Sequence, residues 1–598
     1  MKLSKIYTNK DSIFEPIDFG SGFNVVLAEI RLPENLNKDT HNLGKSTLAR
    51  IIDFGFLVKR NSNFFLFRHF ELFKELVFYI EIELFDSSFV TLRRSVEKPS
   101  KISIKKHREA LQNYSDLDDS EWDHVNLPFK TAVSMLDGIL NWGSLKPWSF
   151  RHGLGYLLRS QEDYRDVFHL RKFIGSHSNW KPFLAHILGF NATLLASHYE
   201  KEVELGRKRE EVSILETELG GSVEDASKIE GILLLKQEEA DKKQTFLDAF
   251  DFRTEDEDYT KELVNEIDER IAILNSERYS LKKSKKKIQD SLTNEKILFD
   301  PDEAERLFDE AGVLFQGQIK KDFSQLINFN KAITEERQLY LQEELVEIED
   351  TLMDINTELN IHGAKRSETL SFLSDTDVFN KYKQVSDEMV STKADIKSLE
   401  SQRGFLLKLQ KLRADIRSLE EELGHLQTDI EIDVEEKNSN KKSQFSQIRL
   451  FFSEIVEEVI NRKALLSVSP NQYGHLEFKA EILDESGNAT SADLGQTYRK
   501  LLCIAFDLAI LRVNIHEKSP RFVYLDGLFE SLDNRKKENL LNVIRRYSDL
   551  GLQVIITLID SDLPPTKNDG VSIFDDTEII LKLHDESEQG RLFKIPAW

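Results

Sequence analysis

Cysteine, proline, glycine and long apolar runs are all scarce in this chain of 598 residues. The single cysteine, Cys503, excludes an intrachain disulfide framework and a cysteine-rich zinc site. With only 12 prolines and 26 glycines, the chain has few points at which a helix must break, which favours long helices over an all-β fold. No run of about 18 apolar residues occurs, so we expect no membrane span. The polar N-terminus does not resemble a signal peptide, and we expect a cytoplasmic location.

Charged residues are abundant: they make up 31% of the chain, and the formal net charge is −24. This charge argues against nonspecific nucleic-acid binding by the whole surface, because phosphate binding needs clustered lysine and arginine. A local basic groove remains compatible with it. Two basic stretches, residues 98–109 and 282–287, each fit either a solvated surface or a contact with a nucleic-acid backbone.

The hydrophobic pattern divides the chain into five parts. Residues 1–192 begin with strand-like alternation and are predicted to form an N-terminal lobe, and residues 441–598 return to globular patterning as a C-terminal lobe. Residues 193–300 and 330–440 are rich in glutamate and lysine, with apolar residues three and four apart, which is typical of coiled-coil arms. Between them, residues 301–329 lose that pattern and are predicted to form the apex.

A phosphate-binding loop is predicted near the start of the chain. A strand-like run, a loop, the sequence Gly-Lys-Ser-Thr and a helical run follow one another, which is the context that such a loop requires. Gly44 lets the backbone approach phosphate, Lys45 reaches the β and γ phosphates, and Ser46 can ligate magnesium. The match is incomplete, because Asp39 replaces the first glycine of the usual pattern. The predicted nucleotide-binding residues here are Asn42, Gly44, Lys45, Ser46 and Thr47.

The other half of the predicted site lies almost five hundred residues later. An apolar strand over 522–525 ends at Asp526, which suits a carboxylate that holds magnesium at the carboxyl end of a buried strand. The nucleotide site can therefore assemble only if the charged, helical middle of the chain folds back on itself.

The order of these motifs resembles the SMC-like branch of the ABC ATPases. The fold class implied is an α/β ABC-type ATPase head assembled from N- and C-terminal lobes, with a long antiparallel α-helical coiled-coil insertion. More narrowly, D-L-G-Q-T-Y-R-K-L-L at 493–502, D-G-L-F-E-S-L-D at 526–533 and T-L-I-D-S-D-L-P at 557–564 resemble the ATPase of bacterial ABC-three-component antiphage systems, the group to which Lamassu belongs.

The resemblance implies that two heads enclose two ATP molecules with Mg²⁺. Gly495 of one head would cover the γ-phosphate held by Lys45 of the other, and Asp533 would lie in the D-loop at the dimer interface. Gln161, which follows an apolar strand, would contact the magnesium and the attacking water. The implied metal ligands are Ser46, Gln161 and Asp526. The implied partners are a second copy, accessory and nuclease-like effector subunits and double-stranded DNA, but no membrane.

Three positions depart from the pattern of those ATPases. Gly527 occupies the position of the glutamate general base, Leu558 that of the switch histidine, and Asp493-Leu494 that of the signature Ser-Gly pair. We therefore expect ATP-driven dimerisation with slow hydrolysis. Glu530 or Asp560 could replace the base, because a carboxylate within hydrogen-bond reach of water would serve. The alternative role of Glu530 is to cap a helix or to lie at an interface.

The leading functional hypothesis is an ATP-dependent clamp that senses DNA and controls an effector in antiphage defence. Two alternatives remain open from the sequence. One is a nucleotide-binding scaffold that holds partner proteins without hydrolysing ATP. The other is a chromosome-maintenance or DNA-repair ATPase of the same architecture.

Overall fold

The computed structural model describes residues 1–32, 43–170, 175, 177–218, 226–249, 257–294, 317–370, 376–490, 495–529, 532–563 and 573–596. The chain divides into two compact units. The first, called the head below, contains Met1–Leu205 and Leu419–Trp598, and the second, called the helical unit, contains Gly206–Ser418. Within the described ranges, no helix carries an apolar window long enough to cross a membrane.

A parallel sheet of five strands forms the centre of the head. Its strands in spatial order are β13 (Ile579–His584), β3 (Phe23–Glu29), β12 (Gln553–Ile559), β11 (Phe522–Leu525) and β8 (Leu158–Arg159). Strands β3, β11 and β12 are almost continuous runs of buried residues, as expected for a parallel sheet that is covered on both faces. Two of these strands, β3 and β8, come from the N-terminal segment, and the other three come from the C-terminal segment.

A second, antiparallel sheet of six strands belongs entirely to the N-terminal segment. Its spatial order is β2 (Ile17–Asp18), β1 (Lys2–Thr8), β4 (Val77–Glu83), β5 (Phe89–Ser95), β6 (Lys101–His107) and β7 (His124–Pro128). The C-terminal segment adds the antiparallel hairpin of β9 (Ala464–Pro470) and β10 (Leu476–Ile482). The basic stretch 98–109 thus contains strand β6.

Helices of the head surround these sheets. They are α1 (Lys45–Gly55), α2 (Phe65–Arg68), α3 (Phe70–Phe73), α4 (Phe129–Leu140), α5 (Phe150–Leu157), α6 (His177–Ile187), α12 (Gln444–Ile460), α13 (Gln496–Val513) and α14 (Asn534–Asp549). The ring of Phe56, just after α1, stacks on Phe522 of β11 with centroids 5.7 Å apart. The buried amide of Gln553 bonds to both backbone groups of Leu3 at 2.8 Å. The two lobes therefore share one core, which confirms the predicted α/β head.

The long helices are α7 (Ala192–Glu218), α8 (Ala226–Asp248), α9 (Glu257–Asn294), α10 (Gly317–Leu370) and α11 (Thr376–Ser439). Ion pairs within the helical unit define their relative directions. Lys208 of α7 pairs with Asp415 of α11 at 2.8 Å, and Lys236 of α8 pairs with Asp395 of α11 at 3.0 Å. The residue numbers rise along α7 and α8 while those of their partners on α11 fall, so α11 runs antiparallel to α7 and α8. The predicted antiparallel helical insertion is confirmed by this order.

The helical unit contains a further reversal of the chain, between α8 and α9. Val264 of α9 packs against Leu247 at the end of α8, and Lys287, farther along α9, donates to the carbonyl of Thr217 at 3.1 Å. Helix α9 therefore runs back beside α8, and α10 pairs antiparallel with α9 through Arg270–Glu358 at 2.8 Å and Lys285–Glu349 at 2.7 Å. Most of the predicted apex, residues 301–316, lies outside the described residues.

A buried polar cluster joins three helices near this reversal. The guanidinium of Arg366 lies 2.6 Å from Asp268 and pairs with Asp387, and it donates to the hydroxyl of Ser386 at 2.6 Å. Asp268 is only 6% exposed, so its charge depends on Arg366 for compensation. The cluster therefore connects α9 and α10 to α11.

We expect Arg366→Ala to destabilise the helical unit by about 3–5 kcal/mol, because it leaves Asp268 buried without its cation. Urea unfolding followed by far-UV circular dichroism measures this loss. Arg403→Ala is the matched control: its pair with Glu230 is exposed, and it should cost less than about 1 kcal/mol. Equal midpoints for the two variants would contradict this account of the cluster.

Candidate nucleotide-binding site

The carboxyl ends of the parallel strands meet at one edge of the head. In parallel α/β sheets this edge is where ligands bind, because the loops that follow the strands converge there. The backbone N–H of Ile30, just after β3, donates to the carboxylate of Asp560, just after β12, with both oxygens at 3.3 Å. The N–H of Ser561 donates to the same carboxylate at 2.8 Å. Asp560 thus joins two neighbouring strand ends.

Gly44 precedes the helix that carries the predicted phosphate-binding residues. Its φ of +99° lies in the left-handed region, and a Cβ there would come within 2.6 Å of the Leu592 side chain. Both constraints require glycine. The N–H of Leu592 also donates to the carbonyl of Leu43 at 3.0 Å, so the C-terminal segment holds the start of α1 in place.

Helix α1 begins at Lys45, and its first turn contains no acidic residue. The backbone N–H groups and the dipole of such a helix end favour an anion. Lys45 and Thr47 are half-buried, whereas Ser46 is exposed. The hydroxyl of Tyr524 on β11 donates to the carbonyl of Lys45 at 2.8 Å. The structure therefore places the Gly-Lys-Ser-Thr helix beside the strand that ends at Asp526.

Asp526 follows β11 and is 1% exposed. Its Oδ1 accepts a hydrogen bond of 2.6 Å from the hydroxyl of Thr557 on β12. The same hydroxyl accepts from the N–H of Gly527 at 3.0 Å, which orients its proton toward the carboxylate. Thr557 was missed in the sequence, because a threonine in a buried strand gives no signal of its own there.

Gly527 has a φ of +61°, a backbone conformation that residues with a Cβ adopt at a cost of about 1–2 kcal/mol. Its carbonyl accepts a hydrogen bond from the ammonium of Lys500, a residue of α13 that is 8% exposed. Both backbone groups of Gly527 are therefore occupied by neighbours within the head. Lys500 is a second site residue that sequence reasoning missed.

Two buried tyrosines lie close to Asp526. Burial, and secondarily the negative charge of Asp526, raises the pKa of Tyr164 and of Tyr524 well above the usual value. Both hydroxyls therefore keep their protons, and that of Tyr524 donates to the carbonyl of Lys45. The hydroxyl of Tyr164 is buried and has no hydrogen-bond partner among the described residues. Tyr164 therefore offers a buried donor close to the Asp526 carboxylate.

Gln161 opens a 3-10 turn, Gln161–Arg165, directly after β8, and its side chain is exposed. A capping box shapes this turn: the carboxylate of Asp163 accepts from the N–H of Ser160 at 3.0 Å and from its hydroxyl at 2.7 Å. Arg159 donates to the carbonyl of Asp163 at 3.0 Å. The side chains of Asp163 and Arg159 thus stabilise the turn that carries Gln161.

Arg159 and Asp507 form a fully buried ion pair beneath the turn. Both oxygens of Asp507, on α13, accept from the guanidinium of Arg159 at 2.8 Å. Burial lowers the pKa of Arg159, but the adjacent Asp507 carboxylate outweighs burial and raises that pKa above its usual value. Arg159 is therefore charged, and it ties β8 to the helix that follows Gly495. Two residues 348 positions apart gave no sequence signal for this pair.

The remaining predicted residues lie at helix ends or outside the described ranges. Gly495 is the N-cap of α13 and is exposed. Asp533 is the N-cap of α14, and its side chain accepts from the N–H of Lys536 at 3.0 Å. The ammonium of Lys536, 2.7 Å from the carboxylate, and secondarily this N–H lower the pKa of Asp533. Asn42 and Glu530 lie outside the described residues.

Residues 455–597 match a family described as an uncharacterised protein conserved in bacteria, DUF2326. No curated protein matches the chain.

Several solved structures are similar to it. One is the Smc head domain with a coiled coil and joint from Pyrococcus yayanosii, at 16% identity and a TM-score of 0.36, covering 93% of this chain and 92% of that chain. Another is the Smc head domain with an extended coiled coil bound to the C-terminal domain of ScpA from Pyrococcus furiosus, at 12% identity and a TM-score of 0.33, covering 94% and 90%. A third is the SmcHead bound to the C-winged helix domain of ScpA, at 9% identity and a TM-score of 0.31, covering 94% and 91%.

We expect Asp507→Asn to destabilise the head by about 3–5 kcal/mol, because it leaves the Arg159 charge buried without a counter-charge. Chemical unfolding followed by tryptophan fluorescence reports the head alone, since all five tryptophans lie in its segments. The control Asp549→Asn removes an exposed carboxylate and should change stability by less than about 0.5 kcal/mol. An unchanged unfolding midpoint for Asp507→Asn would refute this role of the pair.

Proposed function

We propose that the head binds ATP with Mg²⁺ at the carboxyl edge of its parallel sheet, and that two heads pair around the nucleotide. The observation that carries this proposal is the hydrogen bond of 2.8 Å between the Tyr524 hydroxyl and the Lys45 carbonyl. It connects a phosphate-loop helix to the strand that ends at Asp526, across 479 residues of sequence. A nucleotide site needs both elements at one edge.

The phosphate half of the site is supported by helix α1. Its N-terminus provides backbone N–H groups and the positive end of the helix dipole, and its first turn contains no acidic side chain that would compete with phosphate. In this proposal, Lys45 contacts the β and γ phosphates. Thr47 and Asn42 would complete the cradle.

The magnesium half is supported by Ser46 and Asp526. Magnesium prefers oxygen ligands and keeps several waters, so one hydroxyl and one carboxylate beside a triphosphate suit it. The Thr557 hydroxyl bonds to Oδ1 of Asp526, and in the part of the chain that the structure describes Oδ2 accepts no hydrogen bond. In this proposal Oδ2 contacts a magnesium-bound water. Gln161, on its exposed turn, is the proposed further ligand.

Slow hydrolysis is supported by the backbone at Gly527. No carboxylate follows Asp526, and the left-handed φ of +61° disfavours one. Asp560 is a poor substitute base, because the N–H groups of Ile30 and Ser561 already bond to its carboxylate. Glu530 remains the proposed base, and the head acts mainly as a nucleotide-dependent pairing switch.

The proposed pairing surface includes Gly495 and Asp533, which are both exposed at helix N-termini. Pairing would control an accessory effector, a nuclease in our proposal, when the protein contacts double-stranded DNA during antiphage defence. The motifs at 493–502, 526–533 and 557–564 support that role. The exposed cations of the basic stretch support the DNA contact; they are Lys98, Lys101, Lys106 and Arg108.

A scaffold that binds ATP without hydrolysing it is the second candidate. The observation in its favour is Gly527, whose N–H and carbonyl are both bonded within the head. The two candidates share the nucleotide site, and the rate of ATP hydrolysis distinguishes them.

We expect Lys45→Ala and Asp526→Ala each to abolish ATP-dependent pairing of heads, because one removes the phosphate contact and the other the magnesium contact. Light scattering coupled to size exclusion, with and without Mg-ATP, measures pairing. The controls are Lys59→Ala and Asp549→Ala, which remove exposed charges of the head and should pair as the unaltered protein does. ATP-dependent pairing that persists in either site variant would disprove the assignment of that residue.

We also expect phosphate release from ATP to be far below the ~10 s⁻¹ typical of enzymes, and to depend on Lys45. The assay compares the purified protein with Lys45→Ala, each with and without linear duplex DNA. Turnover that DNA stimulates supports the sensor over the scaffold. ATP binding with no Lys45-dependent release supports the scaffold, and fast release would refute the inference drawn from Gly527.

A further inference from the structure

Two histidines and a glutamate that take no part in the proposed nucleotide site converge within the head. His198 and Glu202 lie one turn apart on α7, so both project from one side of that helix. His475 immediately precedes β10, at the end of the β9–β10 turn. One potential ligand atom from each of these side chains lies within 4.8 Å of the other two.

The turn is built to bring its histidine to the helix. Asn471 shapes it: the side-chain oxygen accepts from the N–H of His475 at 3.1 Å, and the Asn471 carbonyl accepts from Gly474 at 2.9 Å. Gly474 has a φ of +77°, and a Cβ there would lie 2.9 Å from Nε2 of His198. A larger residue at this position would therefore adopt a strained backbone and displace the His198 ring.

The three side chains already interact. Nε2 of His475 lies 2.9 Å from a carboxylate oxygen of Glu202, and the rings of the two histidines are perpendicular with centroids 5.4 Å apart. Tyr199 stacks on His475 at 4.7 Å and fixes the plane of its ring. The side chain of Glu202 is 44% exposed, so it can adjust its rotamer without repacking the core.

Of these three side chains, His198 is the most deeply buried. It is 4% exposed, and its Nδ1 is buried with no hydrogen-bond partner in the part of the chain that the structure describes. This ring nitrogen therefore lacks the partner that a buried polar atom normally has. A buried histidine beside a second histidine and a carboxylate offers the set of ligand atoms that a transition-metal ion prefers.

We propose that His198, Glu202 and His475 bind one Zn²⁺ ion, with water in the fourth position. Two imidazoles and one carboxylate suit zinc, whereas Mg²⁺ and Ca²⁺ prefer oxygen ligands alone. Tetrahedral zinc needs its ligand atoms about 3.3 Å apart, a contraction that the exposed Glu202 side chain allows. The ion replaces the proton shared between His475 and Glu202, and it cross-links α7 to the β9–β10 hairpin of the C-terminal lobe.

The test is calorimetric titration of ZnCl₂ into chelator-treated full-length protein, in excess Mg²⁺. We expect one zinc per chain, and a loss of affinity of more than about tenfold in His198→Ala and in His475→Ala. The control is His516→Ala, an exposed histidine of the head, which should bind zinc unchanged. Unchanged affinity in both ligand variants, or no saturable binding by the unaltered protein, would overturn the proposal.

Two further measurements keep the test decisive where an alanine variant fails to fold. Glu202→Gln preserves side-chain length on an exposed helix face, and it should weaken zinc binding while circular dichroism stays the same. Co²⁺ bound to the unaltered protein should give strong visible bands of tetrahedral cobalt without a thiolate charge-transfer band, because Cys503 is buried elsewhere. Octahedral cobalt spectra, or equal binding by Glu202→Gln, would count against the site.

Discussion

The structure depends on one constraint, which is that strand β3 from the N-terminal segment lies between β12 and β13 from the C-terminal segment. A parallel strand in that position bonds to both neighbours through its backbone, so neither segment can complete the sheet alone. The amide of Gln553 adds a side-chain link, because it bonds to both backbone groups of Leu3 on the neighbouring antiparallel sheet. The head is therefore one cooperative body, although its halves are separated by the whole helical unit.

That constraint also explains how the candidate site is held. Leu592, from the far end of the chain, bonds to Leu43 and packs against Gly44, so the start of α1 is positioned by the C-terminal segment. In the opposite sense, Arg159 of the N-terminal segment is bound by Asp507 on α13. Each lobe thus fixes a loop of the other. A change in the packing between the lobes would therefore alter the positions of both the start of α1 and the turn at Gln161.

Local patterns were enough to predict the two-lobed α/β head, the Gly-Lys-Ser-Thr helix and the strand that ends at Asp526. Each of these is written in a short stretch of sequence, where apolar periodicity and motif spacing are visible. The sequence did not reveal Thr557, Tyr164 or Lys500, because their roles come from contacts between distant strands and helices. The reversal between α8 and α9 was missed for the same reason. Helical periodicity identifies a helix but not the partner against which it packs.

The backbone of Gly527 affects both the orientation of Asp526 and the position at which a general base would lie in the proposed site. Its N–H bonds to Thr557, which in turn holds the carboxylate of Asp526, and its carbonyl bonds to Lys500. The left-handed backbone that permits both bonds is the conformation that a glutamate would resist. The absence of a base at this position is therefore more than the loss of one carboxylate, because the local backbone is organised around glycine. The hydrogen bonds that orient Asp526 therefore occur together with a backbone conformation that disfavours a glutamate at the next position.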